Sequence, residues 1–181
     1  RVHKTGAPGI DRIACLDPIP PARLLADLGI AEARGPLLLV LFHPQTRGGS
    51  HQQVDALLDA LGAIGSARMV LIGPNADSGN REIRNRMESF VAARPETVLV
   101  PSLEDRSFLS LMACADIMVG NSSSGIIEAP SFGLPVVNIG ARQAGRTRGS
   151  NVIDCDAEVN QIRAALERAV ETRRNSDRLV D

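Results

Sequence analysis

A chain of 181 residues with 44% hydrophobic and 23% charged residues is sized for one globular domain with a substantial core, which excludes a disordered segment. Twenty basic residues stand against twenty-one acidic ones and leave a formal charge of −1, so neither nucleic acid nor a membrane is expected as a partner, and any anion site must be local. No apolar run approaches the roughly 20 residues that span a bilayer. The three scattered cysteines, Cys15, Cys114 and Cys155, read as buried reduced thiols rather than a disulfide or a metal site, and a cytoplasmic protein is expected.

At the N-terminus Val2 to Thr5 could form a strand, which Gly6-Ala7-Pro8-Gly9 breaks at once. Pro18, Pro20 and Pro21 then punctuate the approach to a helix over 21–28. Residues 1–20 are expected to be the end of a preceding domain and a linker, residues 21–181 a single domain, and the whole a piece of a longer chain. From there short apolar runs alternate with longer amphipathic ones, the pattern of parallel strands joined by helical crossovers. Strands are expected at Leu37 to Phe42, Met69 to Ile72, Val98 to Val100, Ile117 to Val119, Val136 to Ile139 and Val152 to Ile153. Each is apolar on both faces, as a sheet covered on both sides requires. Helices are expected at 50–63, 79–93, 104–114, 124–132 and 157–174, with Ser50 and Ser78 as N-caps and Gly133 followed by Pro135 past a C-terminus. The class is α/β.

In such a sheet, ligands bind beyond the carboxyl ends of the strands. Four loops there carry unusual residues: His43-Pro44-Gln45-Thr46, Pro74-Asn75-Ala76-Asp77-Ser78-Gly79, Gly120-Asn121-Ser122-Ser123-Ser124-Gly125, and Gly140 through Arg146. Ser122, Ser123 and Ser124, at a turn from strand into helix, would aim hydroxyls and backbone N–H groups at one point where the helix dipole favours an anion. A tight turn with an N-cap accounts for the same residues. Glu128, one turn later and the only charge in an apolar helix start, could complement the dipole or accept hydrogen bonds from a ribose diol. Arg142 and Arg146 offer planar forks suited to a diphosphate, or a solvated pair on a loop. His43 could donate to a phosphate or serve structure alone, and Asn75 and Asp77 could be turn-formers. His51 falls in an exposed helix without a role. HExxH, CxxC, GxxxxGK[ST] and GxSxG spacings are all missing, which argues against a zincin, a zinc ribbon, a Walker-type NTPase and a triad hydrolase.

Taken together, His43-Pro44-Gln45-Thr46, the Pro74 to Gly79 loop, the run GNSSSGIIEAPSFG from Gly120 to Gly133 and the loop Gly140 to Arg146 resemble the C-terminal domain of hydrolysing UDP-N-acetylglucosamine 2-epimerases. The likeness covers residues from about 5 to 156 in order and at the family's spacing. It implies the C-terminal, Rossmann-like doubly wound half of a GT-B fold that binds UDP and UDP-N-acetylglucosamine or a related UDP-amino sugar, with no cofactor and no metal. By that likeness Ser122 and Ser123 would contact the diphosphate, with Ser124 a further substrate-binding residue of the same turn, Arg142 would clamp the diphosphate, and Glu128 would hold the ribose hydroxyls. His43 would face the leaving-group side as an auxiliary catalytic residue, Asn75 would line the cleft, and Ser102 to Phe108 would bracket the uracil. The family's acid/base carboxylates belong to its N-terminal domain, the missing partner, so catalysis by this chain alone is not expected. A non-hydrolysing epimerase, half of a GT-B glycosyltransferase and a stand-alone nucleotide-binding module are the alternatives. Asn121 and Ile127 favour the hydrolysing branch, and a homo-oligomer is left open.

Overall fold

The computed structural model describes residues 6–7, 9–30, 34–44, 50–74 and 79–178, with side chains for all of these except 50 and 174–178. Its centre is a parallel sheet of β1 (Leu37–Leu41), β2 (Arg68–Ile72), β3 (Thr97–Val100), β4 (Ile117–Gly120), β5 (Val136–Ile139) and β6 (Val152–Cys155), in the order β3-β2-β1-β4-β5-β6. That order is the Rossmann one, winding outward from β1 in one direction and from β4 in the other. Around it lie α1 (Gly9–Ala14), α2 (Pro21–Asp27), α3 (Ser50–Gly62), α4 (Asn80–Ala92), α5 (Asp105–Cys114), α6 (Ser124–Ile127) and α7 (Val159–Arg178), with a 3₁₀ turn at Ala129–Phe132.

Why the strands read as continuous apolar runs is visible at β1. Side chains alternate across a strand, so Leu38, Val40 and Phe42 face one layer and Leu37, Leu39 and Leu41 the other. The first layer is closed by Val54, Leu57 and Leu61 of α3, Ile83 and Met87 of α4, and Ile162 and Leu166 of α7. The second is closed by Leu24 of α2 and Leu109, Leu111 and Met112 of α5. With both faces covered, neither set of side chains can be polar, and each such buried leucine contributes about 1.5–3 kcal/mol.

Three expectations need correcting. Residues 9–14 form α1 where a linker was expected; Ile13 and Leu16 pack on the second layer. Arg12 pairs with Asp105, Arg106 with Asp17 at 2.7 Å, and the Ile19 N–H donates to Ser110 Oγ at 2.9 Å, tying this stretch to α5. Cys15 is exposed, in the turn just past the end of a helix with no fully buried residue; Cys114 and Cys155 are half-buried. The helix expected at 124–132 stops at Ile127, since Pro130 has no N–H and its ring crowds the carbonyl one turn back. A 3₁₀ turn follows and ends at Gly133, whose φ of 59° is left-handed. Ser78 and the Val2 to Thr5 segment lie outside the described residues, and the α4 start carries Gly79 at φ 89°.

The approach of β4 to β1 fixes where the chain leaves the sheet. Gly120 has φ 138°, and a Cβ there would stand 1.8 Å from the Leu41 carbonyl oxygen. Only glycine lets the strands close up at this level.

Candidate functional site

The strand order reverses its winding between the parallel neighbours β1 and β4, and the crevice outside their carboxyl ends is where this fold binds ligands. A cavity of about 450 Å³ opens there. His43 lines it from the end of β1, Gly73 and Pro74 from β2, Ser102, Leu103 and Phe108 from β3 and α5, Ser122, Ser123 and Ser124 from β4, and Arg142 from β5. Among the described residues Arg142 is the one full positive charge in its wall. An anion entering would therefore meet a guanidinium fork and a row of hydroxyls.

The geometry rests on Asn121, which is fully buried beneath the floor of the cavity. Its Oδ1 accepts from the His43 N–H at 2.8 Å, and its Nδ2 donates to the His43 carbonyl at 3.0 Å. Its own N–H donates to the Leu41 carbonyl at 3.0 Å, extending the β1–β4 pairing by one bond. Its carbonyl accepts twice, from Arg142 Nη1 at 3.1 Å and from Gln143 Nε2 at 2.8 Å. Gln143, at 2% exposed, in turn has its carbonyl held by Arg148 Nη2 at 2.8 Å. Arg148 also pairs with Asp154 of β6, which accepts from Asn138 Nδ2 of β5 at 2.6 Å. One polar network thus runs from the end of β1 to β6 under the site.

Of the residues singled out from the sequence, the structure brings His43, Phe108, Ser122, Ser123, Ser124 and Arg142 to this one cavity. Arg146 is exposed and does not line it. Asn75, with Gln45, Thr46 and Asp77, lies outside the described residues. Glu128 does not line the cavity either. It sits at the end of α6, its Oε1 close to Gly9, where a Cβ would stand 3.4 Å away, and its buried Oε2 has no hydrogen-bond partner among the described residues. Because α6 is a single turn, local amides and serine hydroxyls, not a long helix dipole, face the cavity; the Ser124 N–H donates to Ser122 Oγ at 3.4 Å. Asn121 and Gln143 are site residues that the motif pattern alone did not assign. The signal available for Asn121 was an amide placed directly after an apolar strand and a glycine.

Elsewhere, a cavity of about 320 Å³ between α3 and α7, at the amino ends of β1 and β4, is walled by aliphatic side chains with only Arg163 and Glu167 charged. It offers no converging donors. His51 pairs with Glu82 at 2.9 Å on the exposed α3–α4 face, in keeping with no role in the site. Burial pushes the Cys155 thiol up to about 11, with Asp156 and Asp154 adding to the effect, and burial raises Cys114 as well. Among the described residues no three His, Cys, Asp or Glu side chains gather as metal ligands, and no helix is long and apolar enough to cross a membrane.

A family model described as UDP-N-acetylglucosamine 2-epimerase matches residues 1–181. A hydrolysing UDP-N,N'-diacetylbacillosamine 2-epimerase of Legionella pneumophila is 31% identical over 175 residues, covering 93% of this chain and 45% of the relative. A hydrolysing GDP/UDP-N,N'-diacetylbacillosamine 2-epimerase of Campylobacter jejuni is 35% identical, covering 73% of this chain and 35% of the relative. The chain therefore spans less than half the length of these curated relatives. A UDP-GlcNAc 2-epimerase from Neisseria meningitidis, solved with UDP-GlcNAc bound, superposes with a TM-score of 0.60 over 84% of this chain and 42% of its own, at 15% identity, a likeness of fold.

Proposed function

The chain belongs to the UDP-N-acetylglucosamine 2-epimerase family, and from that premise we propose that it is the UDP-binding half of a hydrolysing enzyme that converts UDP-N-acetylglucosamine, or a related UDP-2-acetamido sugar, to the free 2-epimer and UDP. The observation that carries the proposal is the convergence of Arg142, His43 and three serines on one cavity at the switch point of the sheet. In this reading residues 21–181 are the nucleotide domain and residues 1–20 lead from the other half. The diphosphate lies against Ser122, Ser123 and Ser124 with Arg142 on its flank, and the uracil lies by Ser102, Leu103 and Phe108. Glu128, whose buried Oε2 has no hydrogen-bond partner among the described residues, is assigned to the ribose hydroxyls.

The reaction has two stages. A base takes the proton from C2 of the sugar while the C1–O bond breaks and UDP departs with its electron pair, leaving a 1,2-unsaturated sugar. Water then adds its hydroxyl at C1 and a proton returns to C2 on the opposite face, which inverts that centre. This half supplies charge stabilisation: donors fixed where negative charge grows on the leaving diphosphate act more strongly in the transition state than in the ground state. His43, at the leaving-group side, can donate to a phosphate oxygen. The carboxylates that move the C2 proton are assigned to the other half, because no carboxylate lines the cavity among the described residues. Removing a positioned acid or base typically forfeits about 10²–10⁴ in rate, so this half alone is expected to bind without turnover.

Calorimetry of UDP and UDP-N-acetylglucosamine on this chain tests the site. UDP should bind, and the nucleotide sugar no more tightly, since the sugar meets little of this half. A folded chain that takes up no UDP at millimolar concentration overturns the assignment. In a polypeptide that also carries the other half, the product separates the branches of the family: free N-acetylmannosamine with UDP for the hydrolysing one, UDP-N-acetylmannosamine for the other.

A further inference from the structure

We infer that Asn121 is a positioning residue that holds the two sides of the nucleotide site in register, and that it must be a neutral amide to do so. The inference rests on the UDP site proposed above. Asn121 is 0% exposed, so it does not itself face the cavity. Its side chain makes a two-way pair with the backbone of one residue, accepting from the His43 N–H and donating to the His43 carbonyl. A side chain that accepts from one backbone group and donates to another through its two terminal atoms can be an amide or a protonated acid, and not a carboxylate. Its backbone carbonyl takes Arg142 Nη1 and Gln143 Nε2, which occupies both lone pairs. The single residue therefore sets the start of the β1 loop, which carries His43, and the direction of the Arg142 fork, which comes from β5.

Two consequences follow from the chemistry. An aspartate at this position would turn a carboxylate oxygen against the His43 carbonyl, breaking one bond of the pair and repelling the other group. It would also bury a negative charge directly behind the place assigned to the diphosphate, opposing Arg142. The side chain meets the uncharged backbone of His43 at the end of β1, while the Arg142 guanidinium and Gln143, from the β5 loop, reach the Asn121 backbone carbonyl; His43 and Arg148 are the other titratable groups of the network.

Asn121→Asp and Asn121→Ala are compared with the parent chain for UDP affinity and melting temperature between pH 5 and pH 8. At pH 8 both variants should bind UDP about tenfold or more weakly, the scale of losing a partner to a buried polar group. As pH falls the Asp variant should regain affinity and melting temperature relative to the parent, because its protonated carboxyl restores the donor to His43, while the deficit of the Ala variant stays constant. An Asp variant that matches the parent at pH 8, that fails to recover toward pH 5, or that is unfolded at both pH values overturns the inference. If the Ala variant does not fold, the isosteric Asp variant still decides. If the parent chain binds no UDP, the nucleotide reading fails by itself, and the pH course of the Asp variant's melting temperature still judges the clamp between the loops.

Discussion

Alanine at Gly120 should cost far more than alanine at another positive-φ glycine of the same chain. Gly133 has φ 59° and open space around its Cα, so Gly133→Ala meets only the left-handed backbone penalty, about 1 kcal/mol. Gly120 has φ 138°, outside the region that non-glycine residues reach with ease, and its added Cβ would lie 1.8 Å from the Leu41 carbonyl oxygen and 2.6 Å from the carbonyl carbon. Backbone strain of about 1–3 kcal/mol adds to an overpacking cost of similar size, because the obstacle is main chain already bonded to the Asn121 N–H. The sum is about 2–6 kcal/mol, a large share of a typical domain's 5–15 kcal/mol. At roughly 2–4 °C per kcal/mol for a chain of this size, thermal denaturation should show Gly120→Ala about 4–24 °C below the parent, and further below it than Gly133→Ala, which should lie within about 4 °C. Equal losses for the two variants would refute the claim that the β1–β4 contact excludes a side chain. Where Gly120→Ala still folds, it should also bind UDP weakly, since the serine turn begins two residues on.

The exchange Glu128→Ala should weaken UDP by about 1.5–3 kcal/mol and leave pyrophosphate almost unaffected, because a ribose acceptor touches one ligand only; calorimetric titrations with equal losses would assign Glu128 to packing beneath α1. Arg142→Ala should weaken both ligands together by a comparable amount, as loss of a charged donor to the diphosphate would, and an unchanged pyrophosphate affinity would remove Arg142 from the site. Cys15 should be alkylated at neutral pH well before Cys114 and Cys155, read by mass spectrometry of the native protein. With the Cys155 thiol held up near 11, the unfolded chain releases that proton at a lower pH than the folded one. Its contribution to stability is therefore complete below the ordinary thiol pKa and declines as pH rises from about 9 toward 11. Native protein melting no earlier at pH 10.5 than a Cys155→Ala variant does, each measured against its own pH 8 value, would contradict that sign.

The fold was legible because its inner strands are buried on both faces. Leu37 to Phe42 is apolar without interruption, a run too short for a helix and too uniform for a half-exposed strand, and the remaining strands follow the same logic with ends differing by a residue or two. What escaped were elements decided by neighbours. Gly6-Ala7-Pro8-Gly9 reads as a break, and nothing within residues 9–14 announces that Ile13 finds a place on the second layer or that Arg12 meets Asp105 ninety-three residues on. Conversely Pro130 was in plain sight, and its missing N–H was sufficient to end α6 early.

The site divides along the same physical line. Residues whose side chains face the cavity carry chemistry in their type: an arginine, a histidine and a serine run are conspicuous at strand ends, and the rule that ligands sit at those ends brings them together without coordinates. Residues that hold the site bond chiefly to main-chain atoms, and main chain has no letter in a sequence. Asn121 pairs with the backbone N–H and carbonyl of a residue 78 positions away, so its partners would be the same groups whatever non-proline side chain stood at 43. Gln143 looks like one polar residue among several in a flexible loop, yet it is 2% exposed and donates to the Asn121 carbonyl. The consequence is that such positions should tolerate change by a rule different from that of the cavity wall. A substitution at Arg142 is judged by what it offers the ligand, whereas one at Asn121 is judged by whether it can still accept from and donate to the backbone of one buried residue, a demand that charge and size alone do not describe.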